Sequence, residues 1–411
     1  MGRVVLQDLK TGAVLEEDVR DINGRLLLCK GQSVDAEHIR ILKIWGVSEV
    51  EVTQAQTAAV SSTQVEDDRG RADARRSVET ILQHIETSHP GIAVIVRTAT
   101  DYRHRNGLMA AFGPTQPLSV DFKLDLSTGL KTQIEFSEIE LPESSAIIAD
   151  FNAVFQDPSA SASDMADVIA RSPSLTALLI KIANSAAFGF LSKIDTVTRA
   201  VAMLGAREVN ALVMGIAVMG IFQGIPKDLV DIHTFVRHSL ACGILSRILA
   251  AHRQLQNTER LFVSGLLHDI GRLVLYRYFP EQAKLLLQMA RKTGLSVYEL
   301  EAECLGVRHA QIAEPLLRKW NFPAALQNAI VHHHRPSRSA DPAEAAIVHM
   351  ADLAVNAIGL GHSGEHIVPR FEPMAWDALA IAPGALETAL KQTIQQLGIM
   401  EALFMEVMND I

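Results

Sequence analysis

The chain has 411 residues, which is long enough for two or three domains and for a sizeable buried core. Hydrophobic residues make up 48% of it and charged residues 21%, which is ordinary for a globular protein. The formal net charge is −9, and no predicted helix carries a basic stripe, so we expect no binding to nucleic acid.

Residues 1–53 predict a small α/β module. Two short apolar runs, the second at residues 25–29, have the length of strands, and residues 21–24 between them are a turn signal. Apolar residues at helical spacing predict a helix over residues 36–45, and residues 47–52 alternate as a last strand. No cluster of ionisable residues indicates catalysis, so we interpret the module as structural or as a docking platform.

The rest of the chain predicts a mainly α protein, a multi-helix bundle that follows the small N-terminal α/β module. Residues 210–221 are apolar on all sides, which predicts a helix at the centre of this bundle. The predicted parts are a polar, charged linker at 54–76, an intermediate segment of undefined structure at 77–136, a helical domain at 137–360 with halves at 137–228 and 229–360, and a C-terminal helical tail at 361–411.

The three cysteines are far apart in the sequence and fit a reducing compartment rather than a disulfide framework. Cys242 and Cys304 lie among apolar neighbours, and we interpret them as small core residues. The N-terminus lacks the pattern of a signal peptide, and the most apolar window, 211–222, is shorter than the roughly twenty residues that span a bilayer. We therefore expect a cytoplasmic protein without membrane insertion.

The apolar run at residues 265–271, with the sequence GLLHDIG, holds an imidazole and a carboxylate side by side. Burying His268 next to Asp269 is costly unless a metal ion or hydrogen-bond partners compensate. One interpretation is that Asp269 caps a helix end near Gly271, and the other is a metal site. The motif alone does not decide between them.

Histidine and aspartate recur after residue 230, within predicted helices or at their ends, and one helical bundle can bring such residues together in its core. Imidazole and carboxylate ligands suit Fe, Mn, Zn or Ni better than Ca or Mg, and Asp269 can bridge two ions. His349 lies one turn before Asp352 and can orient it, although we prefer a role as structural filler. The ordered series is His238, His268, Asp269, His309, His333, His334 and Asp352. The histidines interpreted as non-ligands are His233, His252, His332, His362 and His366.

The order of this series resembles the HD superfamily of metal-dependent phosphohydrolases, and the surrounding sequence resembles its HDOD family over about residues 137–360. Residues 1–53 are similar to the small module that often precedes HD-GYP and HDOD domains in bacterial signalling proteins. Motifs that carry the HDOD resemblance are Ala183-Asn184-Ser185-Ala186, Ala202-Met203-Leu204-Gly205, Arg237-His238-Ser239, residues 265–273 and His349-Met350-Ala351-Asp352.

The resemblance implies a site for one or two divalent transition-metal ions. The ligands that it implies for a first ion are His238, His268, Asp269 and Asp352. The ligands that it implies for a second ion are His309, His333 and His334, with Asp269 bridging.

Three departures from the HD-GYP enzymes, which hydrolyse cyclic di-GMP, bear on function. Their Gly-Tyr-Pro loop after the histidine pair is replaced here by residues 335–342, which argues against cyclic di-GMP hydrolysis. Thr234 stands where some members have a glutamate ligand, so we expect no third metal. Arg272 stands where they have a lysine, and it offers a forked donor for phosphate.

Two functions follow from these features. The first is a bacterial signal-transduction protein in which the helical domain binds an unidentified partner protein and the metal site is structural or vestigial. The alternative is a phosphohydrolase or phosphodiesterase that acts on a nucleotide or another phosphoester, with Asp269 and Arg272 as catalytic residues and Arg335 as a further cation. We prefer the first, and a scaffold with coincidental histidines is disfavoured because seven residues follow the family order.

Overall fold

The architecture of the computed structural model is mainly helical, with a small strand-containing module at its N-terminus, as the sequence predicts. No helix among the described residues combines the length and the apolar character that crossing a membrane requires. The structure describes residues 2–6, 9–20, 26–44, 47, 49–53, 64–108, 144–157, 159–184, 194–206, 209, 213, 225–255 and 258–408.

Two antiparallel strand pairs and one helix form the N-terminal module. Its elements are β1 (Gly2–Val5), β2 (Val19–Arg20), β3 (Leu26–Leu28), α1 (Ala36–Ile44) and β4 (Glu49–Val52). β1 pairs with β4, and β2 pairs with β3. The predicted turn at 21–24 lies outside the described residues. The module has a hydrophobic core of its own, which includes Leu6, Leu15, Val34, Leu42 and Val50.

After residue 63 the described regular structure is helical. The helices are α2 (Gln64–Ile81), α3 (Pro90–Arg105), α4 (Ser144–Gln156), α5 (Ala162–Ala170), α6 (Pro173–Ala183), α7 (Val197–Leu204), α8 (Ile232–His252), α9 (Thr258–Leu267), α10 (Ile270–Tyr278), α11 (Pro280–Thr293), α12 (Val297–Leu300), α13 (His309–Lys319), α14 (Ala324–Val331), α15 (Pro342–Ile358), α16 (Pro373–Leu379) and α17 (Pro383–Met408). A π-helix (Glu301–Leu305) follows α12, and a 3-10 helix (Pro336–Arg338) precedes α15.

The segment predicted as a linker is partly helical, because α2 begins at Gln64. Ala74 and Val78, one turn apart, are buried, while Arg75 and Glu79 beside them are exposed. The linker prediction is therefore wrong for residues 64–76. Two small apolar side chains at helical spacing are enough to pack an otherwise charged helix against a core. Residues 54–63 lie outside the described residues.

Helix α3 occupies the segment to which the sequence assigned no definite structure. Ile92, Ile95 and Ala99 are buried on it, and α2 and α3 pack on each other and on α15. Their apolar side chains belong to the same hydrophobic core as those of the predicted helical domain. Residues 120–126 of this segment, whose alternating apolar residues are typical of a strand, lie outside the described residues.

Helices α8 and α15 form the centre of the helical core. Every residue of α15 from Glu344 to Ile358 is buried, and α8 packs against α9, α15 and α17. The C-terminal tail thus joins the same core, through residues such as Leu386 and Leu390. The helix predicted over 210–221 lies outside the described residues except for Val213, which is buried.

Two glycines of the GLLHDIG run let four helices approach one another closely. A Cβ on Gly265 would lie 2.5 Å from the carbonyl oxygen of Cys242 in α8. A Cβ on Gly271 would lie 1.9 Å from the carbonyl oxygen of His309 in α13. Only glycine allows such contacts. The turn between α9 and α10, which carries His268 and Asp269, is thereby held between α8 and α13.

Candidate metal centre

The seven histidine and aspartate residues of the series meet in the core of the helical domain. None of them is more than 7% exposed. They are His238 in α8, His268 and Asp269 between α9 and α10, His309 at the start of α13, His333 and His334 after α14, and Asp352 in α15. Five separate parts of the chain therefore supply imidazole and carboxylate groups to one place.

A first donor group forms around the Nε2 atoms of His238 and His268, which are 3.3 Å apart. Oδ1 of Asp352 lies 3.3 Å from Nε2 of His238 and 3.4 Å from Nε2 of His268. Cys242 completes the group, and one ligand atom from each of the four residues lies within 4.8 Å of the others. The group has the dimensions of a metal-binding site.

A second donor group forms around His309. Its Nε2 lies 3.1 Å from Oδ1 of Asp269 and 3.5 Å from Nε2 of His333. The rings of His333 and His334 are adjacent, with centroids 3.9 Å apart. One ligand atom from each of these four residues again lies within 4.8 Å of the others.

Asp269 connects the two groups. Its Oδ2 lies 3.3 Å from Nε2 of His268, while its Oδ1 faces His309. Asp269 stands at the N-cap position of α10, but its side chain makes no capping hydrogen bond. The interpretation of Asp269 as a helix cap therefore fails, and its carboxylate is left available to both groups.

Two buried atoms of the second group lack a hydrogen-bond partner, namely Oδ1 of Asp269 and Nε2 of His334. Buried polar atoms without a partner cost free energy unless an ion or water satisfies them. Imidazole nitrogen and carboxylate oxygen together suit first-row transition metals. The donor set therefore fits a metal ion of that class.

Backbone carbonyl groups orient two of the imidazole rings. Nδ1 of His268 lies 2.7 Å from the carbonyl oxygen of Gly265, and Nδ1 of His333 lies 2.6 Å from that of Ile330. Each histidine follows the last turn of a helix and donates back to the carbonyl three residues earlier. Because Nδ1 carries the donated proton, Nε2 faces the donor group.

Glu301 orients His309, and no pattern in the sequence indicates this role. Oε2 of Glu301 lies 2.7 Å from Nδ1 of the ring and accepts the backbone N–H of His309 at 3.0 Å. Glu301 is fully buried in the π-helix. A carboxylate behind a ligand histidine is a recurring feature of metal sites.

Arg272 is fully engaged with other side chains. Its guanidinium donates to Glu365 at 2.7 Å and to Ser363 at 2.9 Å, and its Nε lies 3.4 Å from Oδ1 of Asp269. Burial raises the pKa of Glu365 to about 7 in spite of Arg272. Arg272 is 1% exposed, so its position does not support the phosphate contact that the sequence suggested. It supports a role in holding Asp269.

The protonation states of the ligand-capable groups differ. Burial opposes ionisation of Asp269, but Arg272, His268 and His309 hold the pKa of its carboxyl well below the usual value. Burial and the neighbouring histidines lower the pKa of His333 well below the usual value, which keeps its ring neutral and able to bind metal. Burial also lowers the pKa of His268, but Asp269 and Asp352 outweigh it and raise that pKa to about 10. An incoming ion must displace this proton.

Other residues singled out in the sequence lie outside the two groups. His349 donates from Nδ1 to the carbonyl oxygen of His333 at 2.9 Å, so it supports His333 rather than orienting Asp352. Arg335 is exposed next to His334. For Cys242, by contrast, the sequence indicated only a small core residue, whereas the structure places it in the first donor group. A cysteine one turn after His238 was the only available signal.

Comparisons with known proteins agree with this fold. The model of the HDOD domain family matches residues 141–336, just under half of the chain. An uncharacterised protein of Treponema pallidum (strain Nichols) is 22% identical over 197 residues, which cover 47% of this chain and 38% of the relative. The chain thus matches well under half the length of that curated relative.

Two solved structures share the fold. An HDOD domain protein with unknown function from Geobacter sulfurreducens has a TM-score of 0.52 and 19% identity, over 71% of this chain and 97% of that chain. A protein from Marinobacter aquaeolei VT8, provisionally named a signal transduction protein, has a TM-score of 0.53 and 19% identity, over 80% of this chain and 68% of that chain. Residues 141–336 therefore match the HDOD domain family, and these two structures show that the chain shares its fold.

Proposed function

We propose that this protein is a bacterial signal-transduction protein whose HDOD domain holds one or two divalent metal ions and regulates a partner protein. The observation that carries the proposal is the burial of the donor residues, none of which is more than 7% exposed. Catalytic metal sites keep a coordination position open, whereas closed sites are typical of structural ions. Buried donors favour an ion that stabilises one arrangement of the helices over an ion that turns over a substrate.

Two ion positions would use all seven histidine and aspartate donors. His238, His268 and Asp352 would hold the first ion, His309, His333 and His334 would hold the second, and Asp269 would bridge them. These nitrogen and oxygen donors favour Fe, Mn, Zn or Ni. Arg272 would balance the charge of Asp269 from behind.

Such ions would connect helices that are distant in sequence, since α8, α13 and α15 and the turn between α9 and α10 all contribute donors. A ligand that binds only one arrangement stabilises it by mass action, by about 2.7 kcal/mol at a concentration of 100 times its Kd. Metal occupancy can therefore change the surface that the domain offers to a partner.

Two further observations favour a signalling role. The N-terminal module has a hydrophobic core separate from that of the helical bundle, as expected of a docking unit attached to a regulatory domain. The similar protein from Marinobacter aquaeolei VT8 is provisionally named a signal transduction protein. The partner would be a protein of the same signalling pathway.

A phosphohydrolase that acts on a nucleotide or another phosphoester is the second candidate. Asp269 favours it, because its two oxygens face different donor groups, 3.3 Å from His268 and 3.1 Å from His309. A pair of bound ions would lower the pKa of a water molecule and neutralise phosphate charge. In this candidate, Arg272 keeps Asp269 ionised and oriented.

Arg308 would meet the phosphate in this second candidate. It is half-buried and adjacent to His309, and its guanidinium carbon lies 4.8 Å from the centroid of the Tyr298 ring. The Tyr298 ring in turn lies 4.1 Å from that of His334, and Nε of Arg308 has no hydrogen-bond partner. A guanidinium held this way can donate to a phosphate oxygen.

Metal analysis of the full-length protein, purified without chelators, tests the site that both candidates share. We expect bound Fe, Mn, Zn or Ni in the wild-type protein and its loss in Asp269→Ala. The control is Asp377→Ala, which removes an exposed aspartate of α16 and should retain the metal. Metal-free wild-type protein, or equal metal in both variants, would contradict the site.

Turnover separates the two candidates. Cyclic dinucleotides, nucleoside phosphates and a generic phosphodiester are offered to the metal-loaded protein, with Asp269→Ala as the blank. The signalling proposal predicts no turnover above this blank. Metal-dependent turnover that disappears in Asp269→Ala and falls in Arg308→Ala would establish the hydrolase instead.

A further inference from the structure

Cys242 lies among the donors of the first group. It follows His238 by one turn of α8, so both side chains project from the same face of the helix. Its Sγ lies 3.7 Å from Nε2 of His238, and the residue is fully buried. A ligand atom from Cys242 lies within 4.8 Å of one from each of the other members, His268 and Asp352 included.

The position of Cys242 is firmly determined by the packing. Gly265 brings α9 so close that a Cβ there would lie 2.5 Å from the carbonyl oxygen of Cys242 and 2.7 Å from Oγ of Ser246. The same helix ends at Leu267, directly before His268, so one contact fixes the thiol and that imidazole relative to each other. Cys304, the other buried cysteine, has a different environment, with its Sγ 3.8 Å from Sδ of Met289.

We infer that Cys242 is a sulfur ligand of the first metal position, together with His238, His268 and Asp352. This inference rests on the proposed metal site and adds the class of ion that the site selects. Binding forms a metal–sulfur bond and releases the thiol proton to solvent. The second position, with Asp269, His309, His333 and His334, offers nitrogen and oxygen only.

A thiolate ligand makes the two positions chemically different. Thiolate favours Zn²⁺ and other thiophilic ions, while nitrogen and oxygen donors also accept Mn²⁺. The first position should therefore prefer Zn²⁺ over Mn²⁺ more strongly than the second does. A two-metal site of this kind can hold two different ions.

Cobalt substitution tests the inference through absorbance. Co²⁺ added to the metal-free full-length protein gives visible ligand-field bands from any site, and a near-ultraviolet sulfur-to-metal charge-transfer band only when a thiolate is bound. We expect the charge-transfer band in the wild type and in the controls Cys304→Ser and Cys29→Ser, of which the latter removes the exposed cysteine. Cys242→Ser should lose this band and retain Co²⁺ binding.

The outcomes separate this inference from the proposed site. Ligand-field bands without the charge-transfer band in the wild type would overturn the sulfur ligand and leave the metal site in place. No Co²⁺ binding by the wild type would overturn both. The wild-type spectrum shows whether a sulfur ligand is bound even if Cys242→Ser does not fold. Where that variant folds, its Zn²⁺ to Mn²⁺ affinity ratio should fall, and an unchanged ratio counts against the inference.

Discussion

The carboxylate of Glu301 accepts two hydrogen bonds from His309, one from the ring Nδ1 at 2.7 Å and one from the backbone N–H at 3.0 Å. Glu301 begins a π-helix, a type of segment found frequently at functional sites. One buried carboxylate thus fixes both the imidazole ring and the first turn of α13. Nε2 of His309 is left facing Asp269 at 3.1 Å.

Replacing Glu301 by Gln should weaken metal binding, because the amide cannot hold His309 as a carboxylate does. Loss of such a supporting group typically costs about 10- to 100-fold in metal affinity. The affinity is measured by competition with a chromophoric chelator. Glu303→Gln changes an exposed residue of the same π-helix and should keep the wild-type affinity. Equal affinities in the two variants would show that Glu301 does not support the site.

Gly271→Ala should destabilise the protein, because the new Cβ would lie 1.9 Å from the carbonyl oxygen of His309. Helices α10 and α13 must then move apart, and overpacking of this kind costs about 1–3 kcal/mol. Urea denaturation measures the free energy of unfolding. Gly384→Ala is the matched control, because a Cβ there meets nothing within 4 Å. A stability loss equal to that of the control would refute the close approach.

The metal-free protein should lose stability as the pH rises above neutrality. Asp269 and Asp352 raise the pKa of buried His268 to about 10, above its unfolded value of about 6.5. The folded state therefore binds this proton more tightly. The resulting stabilisation is fully present below about pH 6.5 and disappears as the pH approaches 10.

Urea denaturation of chelator-treated protein between about pH 6.5 and 10 measures this dependence. The free energy of unfolding should fall more steeply with pH in the wild type than in His268→Gln. His332→Gln, which changes a histidine at the end of α14 outside the two donor groups, should follow the wild type. Parallel curves for the wild type and His268→Gln would rule out the tightly held proton.

Arg103 ties α3 to the C-terminal end of α15. Its Nε donates to the carbonyl oxygen of Ala357 at 2.8 Å, and a second nitrogen donates to Ser77 at 3.1 Å. Arg103→Ala leaves that carbonyl without this donor and should lower the free energy of unfolding by about 1.5–3 kcal/mol. Arg105→Ala, at an exposed position of α3, should change it by about 0.5 kcal/mol or less. Equal urea midpoints for the two variants would contradict the role of Arg103.

The order of histidine and aspartate residues was enough to predict which side chains meet, since the donors of one helical core recur in its successive helices. Glu301 was not predictable in this way, because its alignment with His309 depends on a π-helix. Cys242 was missed because a buried cysteine is ordinary in any core. Its role depends on the close approach of α9 to α8 at Gly265, which periodicity does not reveal.

Arg272 shows a second limit of the sequence. Its place after the His-Asp pair suggested a cation for a phosphate, but Ser363 and Glu365 occupy its donors. These partners come from a loop more than ninety residues away, and local sequence contains no information about that contact. The charge-rich start of α2 was interpreted as a linker for a related reason. The burial of Ala74 and Val78 depends on the packing of α2 against α3 and α15, which the local sequence does not reveal.

The donors are distributed along a stretch of chain that the ribosome produces in succession. His238 and His268 emerge early, whereas Asp352 follows only with α15. A nascent or truncated chain that ends before α15 lacks the carboxylate which closes the first group. Loading of the first position should therefore follow completion of the domain, so that an ion bound there distinguishes finished molecules from fragments.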